Sequence, residues 1–83
     1  MQVVVKLFAL YRQIVGASQV CLELPDGATV TELCQEMRQL YPNLPPEHYP
    51  LVVAVDLVYV DDTFVLHEGQ EIALIPPVSG GMR

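Results

Sequence analysis

The sequence predicts one α+β domain, in which a single main helix packs on one face of a mixed β-sheet. Two strand-like segments precede the best helical pattern in the chain, and further strand-like segments follow it. The first of these segments, residues 2–8, and the last, residues 71–75, are both rich in apolar residues. Such strands are typical of the buried centre of a sheet, so we expect the two to be parallel neighbours there.

The N-terminal third predicts a strand, a short helix and a second strand. Residues 2–8 alternate in hydropathy and place Phe8 on the outward face. Residues 9–15 have helical spacing, and Gly16 occupies the position of a glycine that ends a helix. Residues 19–24 alternate again and lead into a Pro-Asp-Gly turn, in which proline fixes φ and glycine accepts a positive φ.

The main helix is predicted to begin at Thr29 and to end before Pro42. Thr29 and Glu32 have the spacing of a capping box, in which each side chain binds the backbone amide of the other residue. Apolar residues at helical spacing supply one buried stripe, with Tyr41 beyond it: Val30, Leu33, Cys34, Met37 and Leu40. We expect this stripe to cover the sheet.

The C-terminal half predicts a loop followed by further strands. Residues 43–50 carry three prolines, which neither a helix nor a strand accepts in its interior. Residues 51–55 and residues 57–60 are short apolar runs that predict strands, and Tyr59 lies in the second run. Residues 71–75 alternate and predict the last strand.

The chain is acidic, with a net charge of −6 and only four lysine and arginine residues. Proteins that bind nucleic acid usually carry a basic stripe, so we expect no nucleic-acid partner. The apolar runs are too short to span a bilayer and no basic leader precedes the first strand, so we expect a cytoplasmic protein with no membrane partner. Cys21 and Cys34 lack the spacing of a metal or redox pair, and we expect both to be buried free thiols.

The sequence offers no clear constellation of catalytic or metal-ligating residues. Asp61 and Asp62 are paired carboxylates, for which a solvated turn is the simpler interpretation. His48 and His67 lie in loops far apart in the sequence. We therefore expect no catalytic residue and no metal site within this chain.

The most distinctive segment is residues 75–81, with the sequence IPPVSGG. Its two prolines stiffen the exit from the last strand. Gly80 and Gly81 then give a slender tail that could enter a narrow tunnel and place a terminal group in the active site of another protein. A frayed chain end is the ordinary alternative for such a segment.

This ending resembles that of the ubiquitin-like sulfur carriers, particularly the small subunits of molybdopterin synthase, which end in a PPV-S/T-GG tail. The opening VVVKLFALYRQIVG, the turn LPDGATVTEL and the stretch AVDLVYVDDTFVLHEGQEIALIPPVSGG are similar to the same family, so the resemblance covers essentially the whole chain. It implies a β-grasp, or ubiquitin-like, fold. Residues 1–81 would form one such domain with a flexible Gly-Gly tail, and residues 82–83 would be an extension.

The resemblance also implies a chemistry. Small subunits of this family are not catalytic themselves and bind no cofactor stably. An adenylating partner enzyme uses ATP and Mg²⁺ to activate the carboxylate at the position of Gly81, and a sulfur donor converts it into a thiocarboxylate. The tail then enters the large synthase subunit and donates sulfur to cyclic pyranopterin monophosphate, in a heterotetramer of small and large subunits. The residues at the threading positions are Val78, Ser79, Gly80 and Gly81.

Outward-facing apolar residues are predicted to lie together near the tail. Phe8 and Ile75 fall on the outward face of the two strands that we expect to be neighbours, and Tyr59 joins them if its strand pairs as in the family. With Pro76 and Pro77, they predict a surface that binds the large subunit. Scattered exposed apolar residues without a function are the ordinary alternative.

Two departures from the family pattern leave alternatives open. Asp56 stands where the family commonly has Asn. Met82 and Arg83 follow the second glycine and would block the required carboxylate until they are removed; they fit a natural pro-segment, a sequence variant or a remnant of cloning. The alternatives in function are a carrier of the thiamine pathway or of another sulfur pathway, and a β-grasp interaction module that is never processed.

Overall fold

The computed structural model describes residues 1–46 and 51–76. In this part of the chain, five strands form one sheet, and two helices lie between strands in sequence. The elements in chain order are β1 (Gln2–Leu7), α1 (Ala9–Val15), β2 (Gln19–Glu23), α2 (Val30–Leu40), β3 (Val52–Val55), β4 (Val58–Val60) and β5 (Glu71–Ile75). Every predicted helix and strand is present, with small differences at the ends.

The strand order in the sheet is β2-β1-β5-β3-β4. β1 and β5 pair in parallel at the centre, with Val5 opposite Ile72 and Leu7 opposite Leu74. β2 pairs antiparallel with β1 on one side, and β3 pairs antiparallel with both β5 and β4 on the other. This order confirms the predicted parallel central pair and the β-grasp fold.

The hydrophobic core is built mainly from one face of the sheet and one stripe of α2, and Tyr11 of α1 and Leu66 are also buried in it. Side chains along a strand alternate between its two faces, and the burial of β1 and β5 follows this alternation. The core residues of the strands and of α2 are Val3, Val5, Leu7, Leu22, Val53, Val55, Ile72, Leu74, Val30, Leu33, Cys34 and Met37. The outward residues of β5, Ala73 and Ile75, remain available for contacts on the other face of the sheet.

The chain turns from β1 into α1 at Phe8. The sequence pattern places Phe8 at the end of the strand, whereas β1 ends at Leu7 and Phe8 is the N-cap of α1. Ala9 follows with a φ of 49°, in the left-handed region. Gly16 ends α1 as predicted, with a φ of 86°, and its amide donates to the carbonyl oxygen of Arg12. The sharp turn after β1 leaves the ring of Phe8 46% exposed.

Two residues that were predicted to be buried are exposed. Cys21 lies on the edge strand β2 and is exposed, so the prediction of buried thiols is right for Cys34 and wrong for Cys21. Leu40 is 50% exposed, so the prediction that it belongs to the buried stripe of α2 is also wrong. Tyr41 and Leu44, which follow the end of α2, pack against the core and cover it there instead.

The two cysteines should react with alkylating reagents at very different rates. Burial raises the pKa of Cys34 to about 11, so this thiol stays protonated near neutral pH. Cys21 is exposed to the reagent. We expect iodoacetamide to modify Cys21 in the folded protein and Cys34 only after unfolding in urea, as measured by mass spectrometry of peptides. Equal and rapid modification of both thiols in the folded protein would show that Cys34 is not buried.

The start of α2 is held by the predicted capping box. The Glu32 carboxylate accepts a hydrogen bond from the Thr29 amide at 3.1 Å. Glu32→Ala removes this acceptor and a negative charge from the first turn, so we expect the free energy of unfolding in urea to fall by about 1 kcal/mol. Gln35→Ala on the exposed side of the same helix is the control and should change it by less than about 0.5 kcal/mol. Equal losses of unfolding free energy in the two variants would show that the capping box makes no special contribution to stability.

Candidate functional site

The outer face of the sheet carries an apolar hollow over strands β5, β3 and β4. Its volume is about 210 Å³. The residues that line this hollow, called the outer groove below, are Phe8, Ala54, Leu57, Tyr59, Glu71, Ala73 and Ile75. The outward residues that the sequence predicted to meet, Phe8, Tyr59 and Ile75, are thus brought to one place.

The register of the strands explains why these side chains meet. Ala73 of β5 lies opposite Ala54 of β3, and Ala54 lies opposite Tyr59 of β4. The two alanines give the groove a low floor, because neither has a side chain beyond Cβ. The larger side chains of Phe8, Tyr59 and Ile75 form its walls. A low apolar floor between aromatic and aliphatic walls can accept apolar side chains of another protein.

The walls of the outer groove leave a large apolar surface in contact with solvent. Tyr59 is 69% exposed and Leu57 is 88% exposed. Contiguous exposed apolar patches mark interaction sites, whereas single exposed residues need no explanation. Glu71 is the charged residue of the lining, and the Lys6 ammonium group lies 3.2 Å from its carboxylate and balances its charge. The groove is therefore suited to an apolar contact.

The outer groove lies where the chain leaves the sheet. Ile75 is the last residue of β5, and the half-buried Pro76 is the last residue that the structure describes. The other predicted site residues, Pro77, Val78, Ser79, Gly80 and Gly81, lie outside the described residues. Residues 77–81 are joined to the groove residue Ile75 through Pro76, so a protein that binds them binds a segment close in sequence to the groove.

Asp61, Asp62, His48 and His67 are the other polar residues that the sequence suggested for a site. Asp61 accepts hydrogen bonds from the Thr63 hydroxyl at 2.7 Å and from the Thr63 amide at 3.0 Å, and these bonds lower the pKa of its carboxyl group. His67 lies in the loop before β5, and His48 falls outside the described residues.

In the described part of the chain, no three histidine, cysteine or acidic residues are grouped as metal ligands. None of the helices described there is long and apolar enough to cross a membrane.

Leu57 is a groove residue that the sequence pattern did not single out. The apolar run 57–60 predicts a strand that starts at Leu57, but this residue lies in the turn between β3 and β4. The signal for a turn is weak at this position, because an Asp-Leu pair lacks the glycine that two-residue hairpin turns usually contain.

Comparison with known protein families matches residues 5–81 to the ThiS family. This match covers almost the whole chain and ends at Gly81. The chain belongs to the ThiS family. The match to the ThiS family includes both the domain and the Gly-Gly segment whose sequence resembles that of the sulfur carriers.

Relatives of this ThiS-family chain include named sulfur carriers. The molybdopterin synthase sulfur carrier subunit of Chlamydomonas reinhardtii is 36% identical over 83 residues, which cover 98% of this chain and 100% of that protein. The protein of the same name from Arabidopsis thaliana is 31% identical over 80 residues, which cover 96% of this chain and 83% of that protein. Among solved structures, SAMP1 from Haloferax volcanii has a TM-score of 0.83 at 25% identity and covers 98% of this chain and 100% of its own. These likenesses confirm the predicted family and fold.

Proposed function

We propose that this chain is the sulfur carrier subunit of a molybdopterin synthase and acts in molybdenum cofactor biosynthesis. The observation that carries this proposal is the likeness to carrier subunits of that name along nearly the whole chain, with a family match that runs to Gly81. The outer groove beside the tail supports it, because a carrier must be held by a partner while its C-terminus reacts. In this role the chain is a non-catalytic subunit, and its partners supply the catalytic groups.

Loading of the carrier begins, in this proposal, at the carboxylate of Gly81. A carboxylate resists attack by nucleophiles, because it is anionic and has no good leaving group. An activating enzyme, with ATP and Mg²⁺, joins one carboxylate oxygen to the α-phosphorus of ATP and releases pyrophosphate. The acyl-adenylate carries AMP as a leaving group, so a sulfur donor can displace AMP and leave a thiocarboxylate.

Delivery of the sulfur takes place in the large synthase subunit. A thiocarboxylate sulfur is softer and more polarisable than the oxygen it replaces, which suits it to attack carbon. The sulfur bonds to a carbon of cyclic pyranopterin monophosphate and displaces an oxygen substituent from that carbon. Water then cleaves the bond between the sulfur and the Gly81 carbonyl carbon, which leaves the sulfur on the pterin and returns the carboxylate. Gly80 and Gly81 lack a Cβ, so the tail can pass through a channel only as wide as a backbone.

The outer groove is the proposed contact surface for the large subunit. Residues 76–81 can span at most about 20 Å when fully extended. A partner active site that holds Gly81 must therefore lie within that distance of Ile75. The groove borders Ile75 and therefore lies within reach of that partner.

Tyr59→Ala should weaken the complex with the large subunit and leave the free domain folded. The ring of Tyr59 is mostly exposed, so its loss costs little in the free protein. An aromatic anchor in an interface contributes about 1–3 kcal/mol, which corresponds to roughly a 5- to 150-fold change in Kd. Calorimetric titration of a carrier that ends at Gly81 measures this change, and Phe8→Ala should act in the same direction.

The control for these two variants is Leu40→Ala. This residue is an exposed leucine of α2, which packs on the opposite face of the sheet from the groove. Its substitution should leave the Kd unchanged. Wild-type affinity in both Tyr59→Ala and Phe8→Ala would remove the groove from the interface.

Reconstitution tests the proposed function directly. The thiocarboxylate form of the chain is combined with the large synthase subunit and cyclic pyranopterin monophosphate, and molybdopterin is measured by mass spectrometry. We expect product in proportion to the thiocarboxylate that is added. A parallel reaction with the thiazole-forming partner of the thiamine pathway tests the alternative carrier. Product in that reaction, and none with the large subunit, would assign the chain to the thiamine pathway instead.

A further inference from the structure

The turn between β3 and β4 consists of Asp56 and Leu57, and its backbone conformation suits the first residue but is rare for the second. Asp56 has a φ of 50° and Leu57 has a φ of 70°, both in the left-handed region. Two-residue hairpin turns of this kind favour asparagine or aspartate at the first position and glycine at the second. Leucine at this position gains no burial in the free domain, because its side chain is almost fully exposed. A strained and exposed leucine thus stands where a glycine or an asparagine would fit the backbone better.

Hydrogen bonds to the start of β5 hold this turn in place. The Asp56 amide donates to the carbonyl oxygen of Glu71 at 2.8 Å, and the Glu71 amide donates to Oδ1 of Asp56 at 3.0 Å. Because both bonds fix the turn against β5, the backbone of Leu57 is held in place at the outer groove. A backbone that is ordered before binding loses less conformational freedom when the partner binds.

Leu57 and the tail lie at opposite ends of β5. The turn is bound to Glu71, the first residue of this strand, whereas the tail follows Ile75, the last. The distance from Glu71 to Ile75 along a strand is about 13 Å. Among the described residues, Ala9 and Leu57 have a positive φ that their residue types rarely adopt. Leu57 lines the groove, and Ala9 directly follows the groove residue Phe8. Strained backbone of this kind clusters at functional sites.

We propose that Leu57 is a second anchor for the large subunit, at the end of the groove away from the tail. Its side chain would enter an apolar pocket of that partner and fix the direction from which the tail approaches. This inference rests on the proposed function. The large subunit is the proposed partner of Leu57 because one continuous groove runs from Ile75 to Leu57. A protein that receives Gly81 lies within about 20 Å of Ile75, and the groove that borders Ile75 also borders Leu57. Contacts at both ends of β5 define an orientation that the tail alone leaves open.

Leu57→Asn separates anchoring from folding. Asparagine adopts a positive φ more readily than leucine and is polar, so this variant relieves the turn and removes the anchor. We expect the thermal unfolding midpoint of the free variant to equal or exceed that of the wild type. We also expect its Kd for the large subunit to rise by about tenfold or more in calorimetry with carriers that end at Gly81. Leu40→Asn, which changes an exposed leucine of α2, should leave both quantities close to wild type.

The outcomes distinguish this inference from the function on which it rests. A wild-type carrier that binds the large subunit, with an unchanged Kd for Leu57→Asn, overturns the anchor and leaves the proposed function intact. A lowered unfolding midpoint of Leu57→Asn together with an unchanged Kd makes Leu57 a stabilising residue of the free fold and overturns the anchor. If the wild-type carrier does not bind the large subunit, the proposed function fails and the anchor fails with it.

Discussion

A carrier that ends at position 81 and carries Gly81→Ala should lose about 100-fold or more in the rates of adenylation and sulfur transfer. In the proposed function, the new Cβ would lie next to the reacting carboxyl carbon and would widen a tail that the partner's channel is expected to admit only as bare backbone. The carboxyl group is then held away from the position in which ATP or the sulfur acceptor can react with it. The free energy of unfolding should not change, because the described core is built from residues that precede Pro76.

Ser79→Ala in the same shortened chain is the matched control. Ser79 already has a Cβ, so its substitution does not widen the tail, and we expect a rate close to that of the wild type. Pyrophosphate release by the activating enzyme in a single turnover measures the adenylation step. A normal rate for Gly81→Ala would mean that the Gly-Gly tail is not selected for its narrow backbone.

Ile72→Ala should cause the largest loss of stability, about 2–5 kcal/mol in the free energy of unfolding. Ile72 is fully buried in the central strand β5, where it lies opposite Val5 of β1 and Val55 of β3. Its truncation leaves a cavity between the sheet and α2 that neighbours on three elements cannot easily fill. In a domain of this size, the melting temperature should fall by roughly 8 °C or more in a calorimetric scan.

Ile75→Ala makes the same chemical change on the other face of β5. Ile75 lines the outer groove, so its truncation should lower the free energy of unfolding by less than about 1 kcal/mol and weaken binding of the large subunit instead. Ile72→Ala should still bind at temperatures at which it is folded. The reverse pattern, with stability lost at Ile75 and affinity lost at Ile72, is incompatible with the two faces assigned to this strand.

The helices and strands could be predicted because their signals are local. Alternation in β1 and β5 identifies the inward residues without knowledge of the strand order. Thr29 and Glu32 mark the start of α2, and Gly16 marks the end of α1. The parallel pairing of β1 with β5 follows from the need to bury two apolar strands. The place of β3 beside β5 has no such local signal, and the expectation for it came from the family resemblance.

The surface could be predicted less well, because exposure depends on what packs against each residue from distant parts of the chain. Cys21 alternates correctly with its neighbours, but nothing covers its face of the edge strand β2 in the described structure. Leu40 has the helical spacing of a core residue, but Tyr41 and Leu44 occupy that part of the core. Leu57 belongs to an apolar run that is typical of a strand, and only the pairing of β3 with β4 shows that it lies in a turn.

The sequence predicted those features of the candidate site that depend on the alternation of side chains along each strand. Phe8 and Ile75 were assigned to one face from their positions in the strands, and Tyr59 was added from the family resemblance; the three border one groove. The low floor made by Ala54 and Ala73 could not be foreseen, because it requires the exact pairing of β3 with β5. The roles of these residues and of residues 77–81 in binding a partner stay predictions.

The central claim is that Gly81 becomes a C-terminus that carries sulfur. Intact-mass measurement of the protein purified from its native host tests this claim most directly. We predict a chain that lacks Met82 and Arg83, with a fraction in which one oxygen atom has been replaced by sulfur. A chain that always retains Met82 and Arg83 and never gains sulfur would contradict the claim and favour an unprocessed interaction module.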